Sequence, residues 1–219
     1  MIARTANDYV LVNRTDISPR MSSSLPSTRR AGRRTDDHTP GKPKVKIVTE
    51  DLSLPLASTA ILIKVHAISI NYRDANIANG GNPWPVTPHG ILCNDAAGEV
   101  LAIGKEVTRF AIGDRVAPIV DTCNITGRES GRSWLAADED GVLADFLVFD
   151  QEKVAKLPRY LDRVQASTIP CAGVTAWSSL KGAGMGDSVL IQGEYLVVHK
   201  TLRLFAEKWQ VPAASACSR

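Results

Sequence analysis

The chain has 219 residues, 44% of them hydrophobic and 22% charged, with a formal net charge of +3; that balance fits a globular protein of one or two domains and excludes a fibrous or low-complexity chain. The charge is uneven, because residues 1–44 hold seven Arg and two Lys against four Asp, so that 17 of the 26 basic and 19 of the 23 acidic residues lie beyond them. The basic excess is a property of the leader, and no nucleic-acid partner is assigned from it.

The leader, residues 1–43, is polar and broken by Pro19, Pro26, Pro40 and Gly41. It has too little apolar surface to offset the entropy of ordering it, so disorder is expected. No apolar run approaches the roughly 18 residues that a bilayer span needs, and the N-terminus has no secretory apolar core. A membrane association is not expected.

From Lys44 the texture changes to short strands separated by turn signals. Ala60 to Ile70 is dense in Ile, Leu and Val and reads as a strand, with Lys64 and His66 facing outward. Gly98 to Ile103, Arg115 to Ile119 and Val142 to Phe149 read as further strands. Many short strands with Gly and Pro between them point to a barrel or sandwich. Residues 121–140 form a long polar loop. Beyond it Asp162 is placed to cap a short helix through Thr168, Pro170 breaks that helix, and Gly173 to Lys181 restarts one. Asp187-Ser188-Val189-Leu190-Ile191-Gln192-Gly193 then reads as a turn, a strand and a glycine.

The four cysteines, Cys93, Cys123, Cys171 and Cys217, lie far apart and form no C-x-x-C pair. They suit neither a disulfide framework nor a structural zinc site, and a reducing, cytoplasmic setting is expected. His66 and His89 stand alone, without a carboxylate or thiolate at ligand spacing, and are read as structural.

Three motifs carry more than composition does. Asn71-Tyr72-Arg73-Asp74 is followed by Cys93-Asn94-Asp95-Ala96-Ala97-Gly98-Glu99-Val100, and that by Phe110-Ala111-Ile112-Gly113-Asp114-Arg115-Val116. In this order they resemble the catalytic domain of the medium-chain dehydrogenase/reductase superfamily, the zinc-type alcohol dehydrogenases and their zinc-free quinone and enoyl reductase relatives. The resemblance implies a mainly β fold, a GroES-like β-barrel over residues 44–160, followed over 161–193 by the connecting helices and first strand of an incomplete α/β Rossmann domain for NAD(P).

It also implies a ligand comparison. Asn71 stands where zinc-dependent relatives have their first Cys, Asn94 where they have a His, and Asp95 where a Glu follows it; Cys171 alone matches the third ligand position. One thiolate beside two amides does not make a zinc site, so the resemblance points to the zinc-free branch and no metal is assigned. Cys171 is then expected to be a small buried side chain, and Asp95 to serve turn geometry.

The activity implied is NAD(P)H-dependent reduction of a small-molecule carbonyl or enone, with NADP or NAD as cofactor and hydrogen bonds in place of a Lewis acid. Asn71 and Tyr72 are the implied catalytic residues, and Arg73, Thr175 and Gly193 the implied cofactor contacts. After Gly193 the resemblance stops. Residues 194–219 contain no further glycine, whereas a dinucleotide turn needs several. The tail is expected not to be native to the fold, the chain to be inactive by itself, and strand 187–193 to lack a sheet and drive homo-oligomerisation or aggregation. The alternative function is a non-catalytic fragment or a module that binds a small molecule or partner.

Overall fold

The computed structural model describes residues 25–184, 187–191 and 213–215. Its centre is a five-stranded antiparallel sheet of order β6-β3-β4-β5-β7, formed by β3 (Ala60–Ser69), β4 (Asp95–Ile103), β5 (Arg115–Pro118), β6 (Phe146–Asp150) and β7 (Val154–Lys156). The β-branched run of β3 suits the pleated backbone, and Ala60 to Ile63 are all buried instead of alternating because both faces of the strand are covered here. Ile61 and Ile63 join Val100, Val116, Leu135, Val142 and Leu147 in the main core. A smaller cluster of Ala97, Ala117, Leu157 and Ala166 seats α2 (Arg163–Ser167) near the sheet.

The strands expected at Ala60, Gly98 and Arg115 are thus present, and Asp162 caps α2, accepting from the Gln165 backbone N–H at 2.7 Å. The expected strand from Val142 begins only at Phe146, because residues 141–144 bond instead to the 91–93 segment and to Gly32. Pro170 lies in a turn of π-helix, Ile169–Gly173, that leads directly into α3 (Val174–Ser179). His66 sits at a bulge between Val65 and Ala67. Arg163 donates to its Nδ1 at 2.7 Å, and burial, followed by the Arg163 charge, holds its pKa down at about 4, so the ring is neutral.

The leader requires a correction. Residues Thr28–Arg34 form β1, paired antiparallel over its full length with β2 (Val45–Asp51) and bridged to the rest of the fold at Ala31–Ala144 and Arg33–Ile91. Ala31 is 1% and Arg34 2% exposed. The arginines that suggest a solvated tail are paired: Arg29 and Arg33 lie 2.6 and 2.7 Å from Glu50, and Arg33 is 2.9 Å from Asp140. Those carboxylates raise the Arg33 pKa above its ordinary value, Glu50 foremost. Residues 1–24 lie outside the described residues.

The strand near Val189 also differs from expectation. β8 (Val189–Ile191) pairs in parallel with β9 (Ala213–Ser215), so the tail supplies the partner that strand was expected to lack. No helix among the described residues is long and apolar enough to cross a membrane.

Candidate functional site

The site is assembled where β3 ends. The chain leaves Ser69 and enters α1 (Tyr72–Ala78), with Asn71 as its N-terminal cap residue. Asp74 reaches back to accept the Asn71 backbone N–H at 2.7 Å, which satisfies one of the donors that a helix start leaves open. That fixes Asn71 and frees its side chain to point across to the start of β4.

Asn94 and Asp95 are delivered from the other side by Cys93, whose φ of +65° turns the chain sharply. A left-handed backbone is uncommon for a residue with a side chain, and here it brings the two polar groups inward at the edge of the core. The Asn71 amide donates to Asp95 Oδ2 at 2.9 Å and to Asn94 Oδ1 at 3.3 Å. The third contributor is the π-helical turn: the Cys171 and Ala172 backbone N–H groups donate to the Asp95 carboxylate at 2.6 and 3.2 Å. Asn94 Nδ2 lies 3.5 Å from Cys171 Sγ.

Asp95 is therefore a hub rather than a turn residue. It is 0% exposed and accepts three N–H groups, from α1's cap and from the turn that leads into α3. Burial nevertheless dominates, and its pKa is raised to about 6. Asp74 is raised for the same reason. Burial, and after it the Asp95 charge, push the Cys171 thiol up to about 11, so at neutral pH it is protonated and a poor nucleophile. It is also half-buried and in contact with Asn94, where a small buried side chain was expected. Among the described residues no group of three or more His, Cys, Asp or Glu side chains is placed to hold a metal ion.

Of the residues singled out from sequence, Asn71 is thus in the cluster. Tyr72 begins α1 and is 72% exposed. Thr175 is exposed on α3. Arg73 is turned away from solvent: it donates to the Leu135 carbonyl at 3.0 Å and lies 6.0 Å from the centre of the Trp134 ring. Gly193 lies outside the described residues. Sequence reasoning missed Asp95 as the hub and missed the neighbourhood of Trp84, Trp134 and Arg132 around Arg73. The one local signal for Asp95 was a carboxylate opening the otherwise apolar run Asp95-Ala96-Ala97-Gly98.

Comparison with known proteins gives three kinds of match. Residues 57–159 match the alcohol dehydrogenase GroES-like domain. A zinc-type alcohol dehydrogenase-like protein of Schizosaccharomyces pombe is 31% identical over 141 residues, 61% of this chain and 41% of that protein. The human mitochondrial NAD(P)H oxidoreductase RTN4IP1 is 26% identical over 208 residues, 82% of this chain and 47% of that one. The chain therefore spans less than half the length of these curated relatives. Among solved structures, the quinone oxidoreductase of Coxiella burnetii superposes with a TM-score of 0.62 at 24% identity, over 88% of this chain and 57% of that one, a likeness of fold.

Proposed function

The chain belongs to the medium-chain dehydrogenase/reductase superfamily, and on that premise we propose that its GroES-like domain presents the substrate face of a zinc-independent, NAD(P)H-dependent reductase of carbonyl or enone compounds. The observation that carries the reading is the cluster of Asn71, Asn94, Asp95 and Cys171. Two amides, a carboxylate already bonded to three N–H groups and a single thiol do not fit a catalytic zinc, which requires three available Cys, His or carboxylate ligands.

In this reading the roles divide. Both N–H bonds of the Asn71 amide are already engaged, so Asn71 positions the cap and does not donate to a substrate oxygen. Tyr72, exposed and next in the chain, has the phenolic O–H that can donate to the oxygen on which charge develops. Thr175 offers an exposed hydroxyl and would approach the nicotinamide, which supplies the hydride when bound. Arg73, also an implied cofactor contact, commits Nη1 to the Leu135 carbonyl, beside Trp134, and keeps Nε and Nη2 without an acceptor among the described residues.

The zinc-independent part predicts that the purified protein carries far less than one zinc per chain and that a chelator leaves its melting temperature unchanged. Elemental analysis finding one tightly held zinc per chain would remove that part of the proposal.

The reductase part is tested in two arms. No glycine follows Gly193 in the sequence, whereas a dinucleotide turn needs several, so the chain by itself is expected to show neither saturable NADPH binding below millimolar concentration nor enone-dependent NADPH oxidation. Joined to the part of the human NAD(P)H oxidoreductase RTN4IP1 outside the matched region it is expected to show both, and Tyr72→Phe in that fusion should lower kcat by about 100-fold. A fusion that binds NADPH yet reduces no quinone or enone would leave the second reading, a small-molecule binding module without turnover.

A further inference from the structure

A second group of side chains adjoins this cluster, and the reductase reading alone gives it no task. Trp84, in the loop after α1, meets Trp134, in the 121–140 loop, edge to face with ring centres 6.2 Å apart. The two loops are joined, since Thr87 N donates to the Ala137 carbonyl at 2.7 Å and Thr87 Oγ1 to that of Asp138 at 2.9 Å. Arg132 lies 4.4 Å from the centre of Trp134 and 5.9 Å from that of Trp84. Its side chain is 44% exposed and has a counter-ion in Asp138 at 3.5 Å.

Arg73 is in a different position. Only its Nη1 is bonded, to the Leu135 carbonyl; Nε and Nη2 are closed to solvent and have no acceptor. Among the described residues no carboxylate lies within the 4.0 Å of an ion pair with it. Burial lowers its pKa, against the weaker opposing pull of Asp74, Cys171 and Asp138. A buried guanidinium with free donors is costly, and its planar fork matches a carboxylate. Arg73 thus lacks a counter-charge, and the Trp134 ring, paired with Trp84, stands beside it.

We propose that this corner binds a flat, conjugated carboxylate, its ring against Trp84 and Trp134 and its carboxylate on Nε and Nη2 of Arg73. Because Nε and Nη2 are closed to solvent, binding requires Arg132, the exposed member stacked on Trp134, to give up the ring face and open them to the ligand. The inference rests on the reductase reading and narrows it: the substrate is a conjugated carbonyl compound that carries an acidic group. A cofactor phosphate would offer Arg73 the same anionic oxygen, and the test separates the two.

The experiment is calorimetric titration of the full chain, without cofactor, with cinnamate, cinnamamide and cyclohexanecarboxylate, and separately of the fusion with NADPH. Cinnamate, flat and anionic, is expected to bind saturably. The neutral amide and the non-planar acid should each bind at least about tenfold more weakly. Arg73→Gln should reduce cinnamate to the level of cinnamamide, Arg73→Lys should recover part of the loss, and Trp84→Leu should weaken both flat ligands. Trp84 is 39% exposed, so its variant carries the test if Arg73→Gln fails to fold, a point checked by circular dichroism. Equal binding of acid and amide, or cinnamate binding unchanged in Arg73→Gln or in Trp84→Leu, would overturn the proposal. So would an Arg73→Gln variant of the fusion that loses NADPH and keeps cinnamate, which would assign Arg73 to a phosphate. Because no cofactor enters the first titrations, cinnamate binding by a chain whose fusion reduces no quinone or enone would sink the reductase reading and leave this site standing.

Discussion

Replacing Asp95 by alanine is expected to destabilise the folded chain by about 3 kcal/mol and to loosen the segment from Ile169 to Ser179 more than the sheet. The variant strands three donors, the Asn71 amide and the backbone N–H groups of Cys171 and Ala172, at about 1–3 kcal/mol each. Against this stands the relief of no longer ionising a fully buried carboxylate. A shift from the ordinary 3.8 to about 6 corresponds to about 3 kcal/mol at neutral pH. The donors win by a similar amount. Urea unfolding measures the total, and hydrogen exchange at the Cys171 and Ala172 amides locates it. A loss under about 1 kcal/mol, or unchanged exchange at those two amides, would mean that Asp95 does not hold the turn.

The same residue predicts a pH dependence whose sign can be worked out. Folded Asp95 binds its proton more tightly than unfolded Asp95, so its stabilising contribution is complete below about 3.8 and is lost as pH rises through about 6. His66 acts oppositely in an overlapping window. Its pKa is lowered to about 4, so acidification charges the unfolded ring first and favours unfolding. Asp95 is therefore read as a difference: between pH 7 and pH 5 Asp95→Asn should lose about 1 kcal/mol more stability than the unaltered chain. Parallel curves for the two proteins would contradict the raised pKa.

The second large effect is expected at Gly141. A methyl group there would stand under 3.0 Å from three backbone oxygens, those of Ile91, Leu92 and Cys93. The same stretch is held by Gly141 N to Ile91 O at 2.8 Å, Val142 N to Cys93 O at 2.8 Å and Leu143 N to Leu92 O at 2.9 Å. Backbone cannot move aside as a side-chain tip does, and residues 91–93 lead directly into Asn94 and Asp95. Gly141→Ala should therefore cost more than the about 1–3 kcal/mol of ordinary overpacking, and it should leave much of the protein unfolded or insoluble. Gly113→Ala is the control. That residue has φ of +89° but nothing within 4 Å of the added atom, so it should cost only about 1 kcal/mol in backbone strain. Thermal melts placing the two variants at equal stability would show that the close approach at Gly141 is not tight.

Legibility followed the range over which each feature's causes act. β3, β5 and the cap of α2 could be read because Ile-Leu-Ile, Gly113-Asp114 and Asp162 with Gln165 act within a few residues. β1 could not, since its arginines look solvated until Glu50 and Asp140 are brought beside them. Asn71 was reached through family motifs, which carry position and say nothing of partners. That its amide is already fully engaged appears only once Asp95 and Asn94 are placed opposite it. The Trp84–Trp134 pair was invisible for the same reason: 50 residues separate rings that touch edge to face, and no periodicity links them. The pairing of β8 with Ala213–Ser215 crosses a tail that composition alone marked as foreign.

The anchoring of β1 also imposes an order on biosynthesis. Hairpin pairing with β2 requires only residues as far as Asp51, but the Arg33 fork closes on Asp140, 107 positions later in the chain. At about 5–20 residues per second a ribosome adds that stretch in roughly 5–20 s. Once Glu50 has been added, and until Asp140 follows, the hairpin's arginines have the first carboxylate and lack the second. A nascent chain halted shortly after Asp51 should thus carry an unanchored hairpin, and one halted well beyond Asp145 a docked one.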